Sequence, residues 1–233
     1  MSKKTLIYTE GKSDRNFLGW YLNFLKCKDH SKCEDCFDIF NIEGKDKLIS
    51  DEFLKKIDKI LNNEHQTYRQ VCIIFDADKK ESQESDAGFD NKLEHICEKF
   101  REKGIDFPRE QIFLFPNNQD DGDLEDLLLK IAEHDKLIKC FEKYLKCIEC
   151  KCIGIKEHCK PIKNIRKNML YAYLEAFGLE DLYTKKNIFD IEGKVKNEYK
   201  EDYERLKKAI KFESDILIPL KNFLERFIEN NQK

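Results

Sequence analysis

Three acidic residues stand where a short apolar run gives way to a turn, and carboxylates so placed can gather around a hard cation. Thr5-Leu6-Ile7-Tyr8-Thr9 is closed by Glu10-Gly11, and Val71-Cys72-Ile73-Ile74-Phe75 is closed by Asp76-Ala77-Asp78. Runs of about five β-branched and aromatic residues ended by a turn signal predict buried parallel strands. In open parallel sheets the ligand site lies outside the carboxyl ends of the strands. If those two ends are neighbours, Glu10, Asp76 and Asp78 form an acidic cluster suited to Mg²⁺ or Mn²⁺. Such an ion is commonly held by one or two carboxylates together with substrate phosphate oxygens. Where a strand continues, residues i and i+2 point to the same side, so Asp76 and Asp78 can approach one ion together. The plainer alternative is that the two aspartates cap a helix or end a turn. Gly11 allows a tight turn and close backbone approach to a phosphate, or is simply a turn glycine. With Lys12 it makes the candidate substrate-binding pair.

A further acidic run, Asp120-Asp121-Gly122-Asp123-Leu124-Glu125-Asp126, follows the apolar Gln111–Phe115 segment. Glu125 is the best placed of these as another metal ligand, because it begins an apolar helix whose N-terminus can face the site. Favourable placement of acids against the helix dipole is the competing explanation.

The elements that must position these residues alternate over the first 132 positions. Strands are predicted at about 4–9, 38–42, 71–75 and 111–115, the last stopped by Pro116. Between them lie helical patterns at about 13–26 (Ser13 as N-cap), 47–61 and 88–103. Such alternation implies βαβ units and an α/β fold, a four-stranded parallel sheet with helices on both faces. The polar stretch Ser82–Asp90 reads as a mobile loop. From about 134 no strand signal remains. Helices are expected at about 135–151, 164–176 and 216–228, the last with Pro219 interrupting its start. A polar, marginal one is expected at 198–209. The organisation is thus an α/β domain at 1–132 followed by a helical, Cys/Lys-rich extension at 133–233 packed on the core.

The chain of 233 residues is 38% charged and 40% apolar, compatible with one large domain or a domain with an appendage. No apolar stretch reaches 18 residues and no signal-peptide pattern opens the chain, so the expectation is a cytoplasmic protein with no membrane span. Its formal charge of −3 hides an asymmetry. Residues 1–132 hold 21 basic and 28 acidic residues, whereas 133–233 hold 22 and 18. Segment 136–167 alone has ten Lys or Arg against three Glu. A basic segment beside an acidic site suits a polyanionic substrate handled through a metal, such as nucleic acid; a solvated helix face is the alternative.

Ten cysteines in a chain read as cytoplasmic favour metal binding or burial over disulfides. Cys27, His30, Cys33 and Cys36 form one group, and Cys140, Cys147, Cys150, Cys152, His158 and Cys159 another. Cys33-x2-Cys36 and Cys147-x2-Cys150 have zinc-ligand spacing, so structural Zn²⁺ is an expectation at either cluster or at a joint site. Cys140 and Cys147 also fit the apolar face of a helix, and Cys72 and Cys97 read as core. Tyr171 and Tyr173 are available to stack on bases or to pack in the core.

At Glu10-Gly11-Lys12-Ser13-Asp14 and Asp76-Ala77-Asp78 the chain resembles the Toprim superfamily, the domain shared by topoisomerases, bacterial primases and overcoming-lysogenization-defect nucleases. In that family a glutamate before a glycine ends the first strand and an Asp-x-Asp ends the third. The likeness covers about residues 4–130. Asn41-Ile42-Glu43-Gly44-Lys45-Asp46-Lys47-Leu48, Gly122-Asp123-Leu124-Glu125-Asp126-Leu127-Leu128 and Pro219-Leu220-Lys221-Asn222-Phe223-Leu224 look like a group of small stand-alone bacterial Toprim-like proteins. Members of that group are sometimes associated with phage defence or with overcoming-lysogenization-type ATPases. The resemblance implies that Asp76 and Asp78 coordinate Mg²⁺ or Mn²⁺ and that Glu10 serves as general acid or base or holds a second metal. A topoisomerase would need a gate domain, for which the chain is too short, and a primase would need additional domains. The expected activity is a metal-dependent nuclease acting on DNA or RNA. The alternative is a non-catalytic module working with a partner ATPase. The amphipathic C-terminal helix can pack in cis or across a homodimer.

Overall fold

The computed structural model describes residues 3–29, 37–42, 50–80, 85–153, 164–185, 188–190 and 193–229. Four strands, β1 (Lys4–Thr9), β2 (Phe37–Asn41), β3 (Tyr68–Asp76) and β4 (Ile112–Phe115), form one all-parallel sheet in the order β2-β1-β3-β4. The alternation of side chains along each strand feeds two separate cores. Leu6, Val71, Ile73, Ile112 and Leu114 face one side, while Ile7, Cys72, Ile74, Phe113 and Phe115 face the other.

The first face is covered by α2 (Asp51–Leu61) and α3 (Phe89–Arg101). Ser50 starts α2, its Oγ accepting the Phe53 N–H at 3.3 Å. The 3.6-residue period then buries Phe53, Leu54, Ile57 and Ile60 on one side. Each such burial contributes roughly 1.5–3 kcal/mol. α3 does the same with Ile96, Cys97 and Phe100. Cys72 and Cys97 are core residues, as their apolar contexts predict.

The second face is covered by α1 (Lys12–Asp29) and by everything that follows β4: α4 (Leu124–Lys130), α5 (Asp135–Ile153), α6 (Ile165–Glu175), α7 (Glu180–Thr184), α8 (Lys200–Ala209) and α9 (Ile218–Glu229). Phe17, Leu18 and Tyr21 of α1 share one continuous core with Leu170, Tyr173, Tyr183, Leu206 and Phe223. Polar contacts pin the same junction. The Asn16 amide donates to the Tyr183 and Lys185 carbonyls, both at 3.0 Å, and the Tyr203 hydroxyl donates to the Trp20 carbonyl at 2.8 Å.

The segment expected to be a marginal helix is formed as α8, because Tyr203, Leu206 and Ala209 supply a buried stripe within its charged sequence. Pro219 does not interrupt α9. It sits in the first turn, where its missing N–H has no intrahelical partner to lose. Leu220, Phe223 and Leu224 of α9 are buried within this chain. Among the described residues no helix is long and apolar enough to cross a membrane.

Candidate active site

The strand order places a topological switch between β1 and β3. From β1 the chain runs through α1 to β2 on one side, then returns through α2 to β3 on the other. The two crossovers diverge there and leave a crevice at the strands' carboxyl ends. A cavity of about 440 Å³ opens at this point. Glu10 and Gly11 border it from the end of β1, Asp76 from the end of β3, and Asp78 from just beyond. Asp14 reaches it from the first turn of α1, and Asp123 and Glu125 from the start of α4. Glu10, Asp76, Asp78 and Glu125 are therefore brought to one cavity, as the sequence predicts. Lys12 does not border it.

Backbone N–H groups hold three of these carboxylates and a tyrosine hydroxyl holds a fourth. Asp14 Oδ2 accepts the Gly11 N–H at 2.8 Å, folding the turn after β1 back on itself. Asp76 Oδ1 accepts the Leu124 N–H at 2.9 Å, so it also helps to begin α4, in part as the capping alternative anticipates. Asp123 is the N-cap of α4 and accepts the Asp126 N–H at 2.7 Å. Glu125 Oε1 accepts the Tyr183 hydroxyl at 3.3 Å.

So many carboxylates in one crevice hold protons unusually well. Burial, reinforced by the charges of Asp14, Glu125, Asp123 and Glu10, raises the Asp76 carboxyl well above its ordinary range. Burial also pushes Asp14 up to about 7; the Gly11 hydrogen bond opposes this, and Glu10 and Glu125 add to it. Asp123 rises to about 6, chiefly by burial and then through Asp126. A divalent cation would offset the repulsion that helps to produce these shifts, and the donors are hard oxygens of the type Mg²⁺ and Mn²⁺ accept. Among the described residues, no three His, Cys, Asp or Glu side chains are already arranged to hold a metal ion.

Asp78 departs from its expected placement. β3 ends at Asp76, and Asp78 takes a left-handed backbone conformation (φ +60°), so the i, i+2 relation of a continuing strand does not apply. Its N–H and C=O pair with Gly122 at 2.8 and 2.9 Å. Its Oδ2 lies 2.7 Å from Nζ of Lys92, a buried lysine that also meets Asp86 at 2.8 Å.

A family model describing a protein of unknown function, DUF3226, matches residues 4–229. The chain belongs to that family. No curated protein and no solved structure matches it. The family match runs through the sheet and the later helices alike, and the cavity draws on both.

That cavity is also bordered by cations, one from the loop after β3 and two from α6. Lys79, Arg166 and Lys167 border it with Asn164 and Ile165. Arg166 Nε lies 2.7 Å from Asp126 Oδ1, and Lys79 Nζ lies 3.0 Å from Asp126 Oδ2. Arg166 and Lys167 belong to the basic segment already visible in the sequence, but nothing there says that they turn back onto the strand ends.

The other basic residues and the cysteines fare differently. Lys136, Lys139, Lys143 and Lys146 are exposed along α5, and so are Cys140 and Cys147, which do not lie on its apolar face. The side chains of Cys27, His30, Cys33, Cys36, Cys150, Cys152, His158 and Cys159 lie outside the described residues. Tyr173 is buried, its hydroxyl donating to the Ala209 carbonyl at 2.6 Å, and is not available for base stacking. Tyr171 packs edge-on against Tyr183, with ring centroids 5.8 Å apart.

Proposed function

We propose that this protein is a Toprim-like, divalent-cation-dependent phosphodiesterase that cleaves DNA or RNA. The observation that carries the reading is the convergence of Glu10, Asp14, Asp76, Asp123 and Glu125 on one cavity at the switch point between β1 and β3. Glu10, Asp76, Asp78 and Glu125 are the residues that would hold Mg²⁺ or Mn²⁺. When bound, the ion would offset charge on the phosphodiester and orient the nucleophile. Asp76, fixed by the Leu124 amide, keeps its donor oxygens in place without rearrangement. As general base, Glu10 would take a proton from the attacking water as the new phosphorus–oxygen bond forms, and the leaving sugar oxygen would take a proton from Glu10 or from solvent as its bond to phosphorus breaks. Gly11 brings backbone close to the phosphate. The ion pair of Lys92 and Asp78 favours a second reading, a non-catalytic module acting with a partner ATPase, because it engages one of the two family aspartates. A role in phage defence fits either.

The test is cleavage of labelled single- and double-stranded DNA and of tRNA with Mg²⁺ or Mn²⁺, comparing wild type with Asp76→Asn. The amide keeps an acceptor for Leu124 while removing the charge. Cleavage lost both in the variant and in chelator is the expected result. No cleavage of any substrate above the variant's background would leave the non-catalytic reading.

A further inference from the structure

We propose that Lys79 and Arg166, both tethered by the buried carboxylate of Asp126, form the phosphate-binding pair of this cavity, and that their ligand is the backbone phosphate of a nucleic-acid strand. The assignment rests on the phosphodiesterase reading for the identity of the cavity, but it concerns binding and not cleavage.

Asp126 is 8% exposed at its side chain, whereas Lys79 and Arg166 are 41% and 48% exposed. A single buried carboxylate thus anchors two half-exposed cations that both border the cavity. One cation would suffice to neutralise it, so the trio carries an excess positive charge. Arg166 meets Asp126 through Nε. A guanidinium has five N–H donors in a rigid, planar fork, and this geometry keeps the terminal nitrogens for a second acceptor, such as two oxygens of a phosphate.

The position of Arg166 breaks a local preference. It and Lys167 occupy the first turn of α6, which contains no acidic residue. Helix N-termini favour anions and disfavour cations. Asp126 compensates for Arg166, and a bound phosphate would serve both basic residues and the helix end. Departures from local preference of this kind concentrate at functional sites.

Carboxylates and these cations border the same cavity, which suits an anion that arrives with a cation. A strand fits better than a free phosphate. The cavity of about 440 Å³ is open and far larger than one phosphate group. Helix α5, packed on α6, also carries four further exposed lysines of the same basic segment, Lys136, Lys139, Lys143 and Lys146.

The test is fluorescence anisotropy of fluorescein-labelled DNA and RNA oligonucleotides over a salt series in chelator, with cleavage assayed in parallel. Arg166→Ala and Lys79→Ala each weaken binding about tenfold, and each lowers the slope of log Kd against log salt by about 1. Lys200→Ala, an exposed α8 substitution outside the cavity, changes neither. Asp126→Asn weakens binding although it makes the protein more positive, the opposite sign to bulk electrostatics. Arg166→Lys, which keeps the charge but not the fork, recovers the salt slope without the full affinity.

Unchanged affinity in both alanine variants would overturn the assignment. So would an equal loss in Lys200→Ala, no binding by wild type, or displacement of the strand by equimolar inorganic phosphate. Binding lost in the two variants without any wild-type cleavage would refute the phosphodiesterase and keep the subsite. Asp76-dependent cleavage indifferent to both variants would do the reverse.

Discussion

Replacing Asp14 by asparagine should stabilise the protein at alkaline pH and leave it unchanged in acid. The carboxyl is buried and titrates at about 7, against 3.8 for an ordinary aspartate. Below about pH 4 both folded and unfolded chains hold the proton and the group contributes nothing. Between about 4 and 7 the unfolded chain gives it up while the folded one retains it, so stability falls as pH rises. Above about 7 the full penalty applies. At about 1.4 kcal/mol per pH unit, the gap between those two values corresponds to about 4 kcal/mol. The amide oxygen of asparagine can still accept the Gly11 N–H, so the variant removes the charge and keeps the turn. For a chain of this size a gain of about 4 kcal/mol raises Tm by about 10 °C. Thermal unfolding by circular dichroism from pH 4 to 8.5 should show the two curves coinciding at the acid end and separating above about pH 5. Added Mg²⁺ should narrow the separation at pH 8, since a cation relieves the same repulsion. Parallel curves over the whole range would refute the claim that this carboxyl keeps its proton in the folded state.

Two further substitutions probe the scaffold around the cavity. Lys92→Met removes the buried cation shared by Asp78 and Asp86 and should cost about 3–5 kcal/mol in urea unfolding; a loss under about 1 kcal/mol would show that the carboxylates find other compensation. Gly122→Ala should cost about 1–3 kcal/mol, because φ is +144° and a Cβ would stand 2.9 Å from Asp126 Oδ2; an unchanged urea midpoint would refute the claimed strain.

Most of the sheet was legible because β1, β3 and β4 are buried on both faces and read as apolar runs, whereas β2 is a half-buried edge strand interrupted by Asp38. Glu10 and Asp76 were legible because a charge closing such a run is conspicuous. Asp14 was not, since an acid in the first turn of a helix is what the dipole already favours. Asp78 was placed in the right cavity by an i, i+2 relation that its left-handed backbone sets aside, and its pairing with Lys92 depends on a helix packed across the loop. Arg166 lies 90 residues from Asp76, and the contact of α6 with α4 returns it to the strand ends. Periodicity records which face of an element is buried, not which distant element covers it.

The way α1 is covered has a consequence for synthesis. Besides β1 and β2, it is covered by residues far along the chain: Tyr183 and Lys185 lie 167 and 169 positions beyond Asn16, and Tyr203 lies 183 beyond Trp20. At about 5–20 residues per second, a ribosome needs roughly 10 to 40 seconds to supply them. For that interval Phe17, Trp20 and Tyr21, all buried in the finished molecule, lack part of the surface that encloses them. The nascent chain, more than the completed protein, is therefore the form exposed to aggregation and to capture by chaperones.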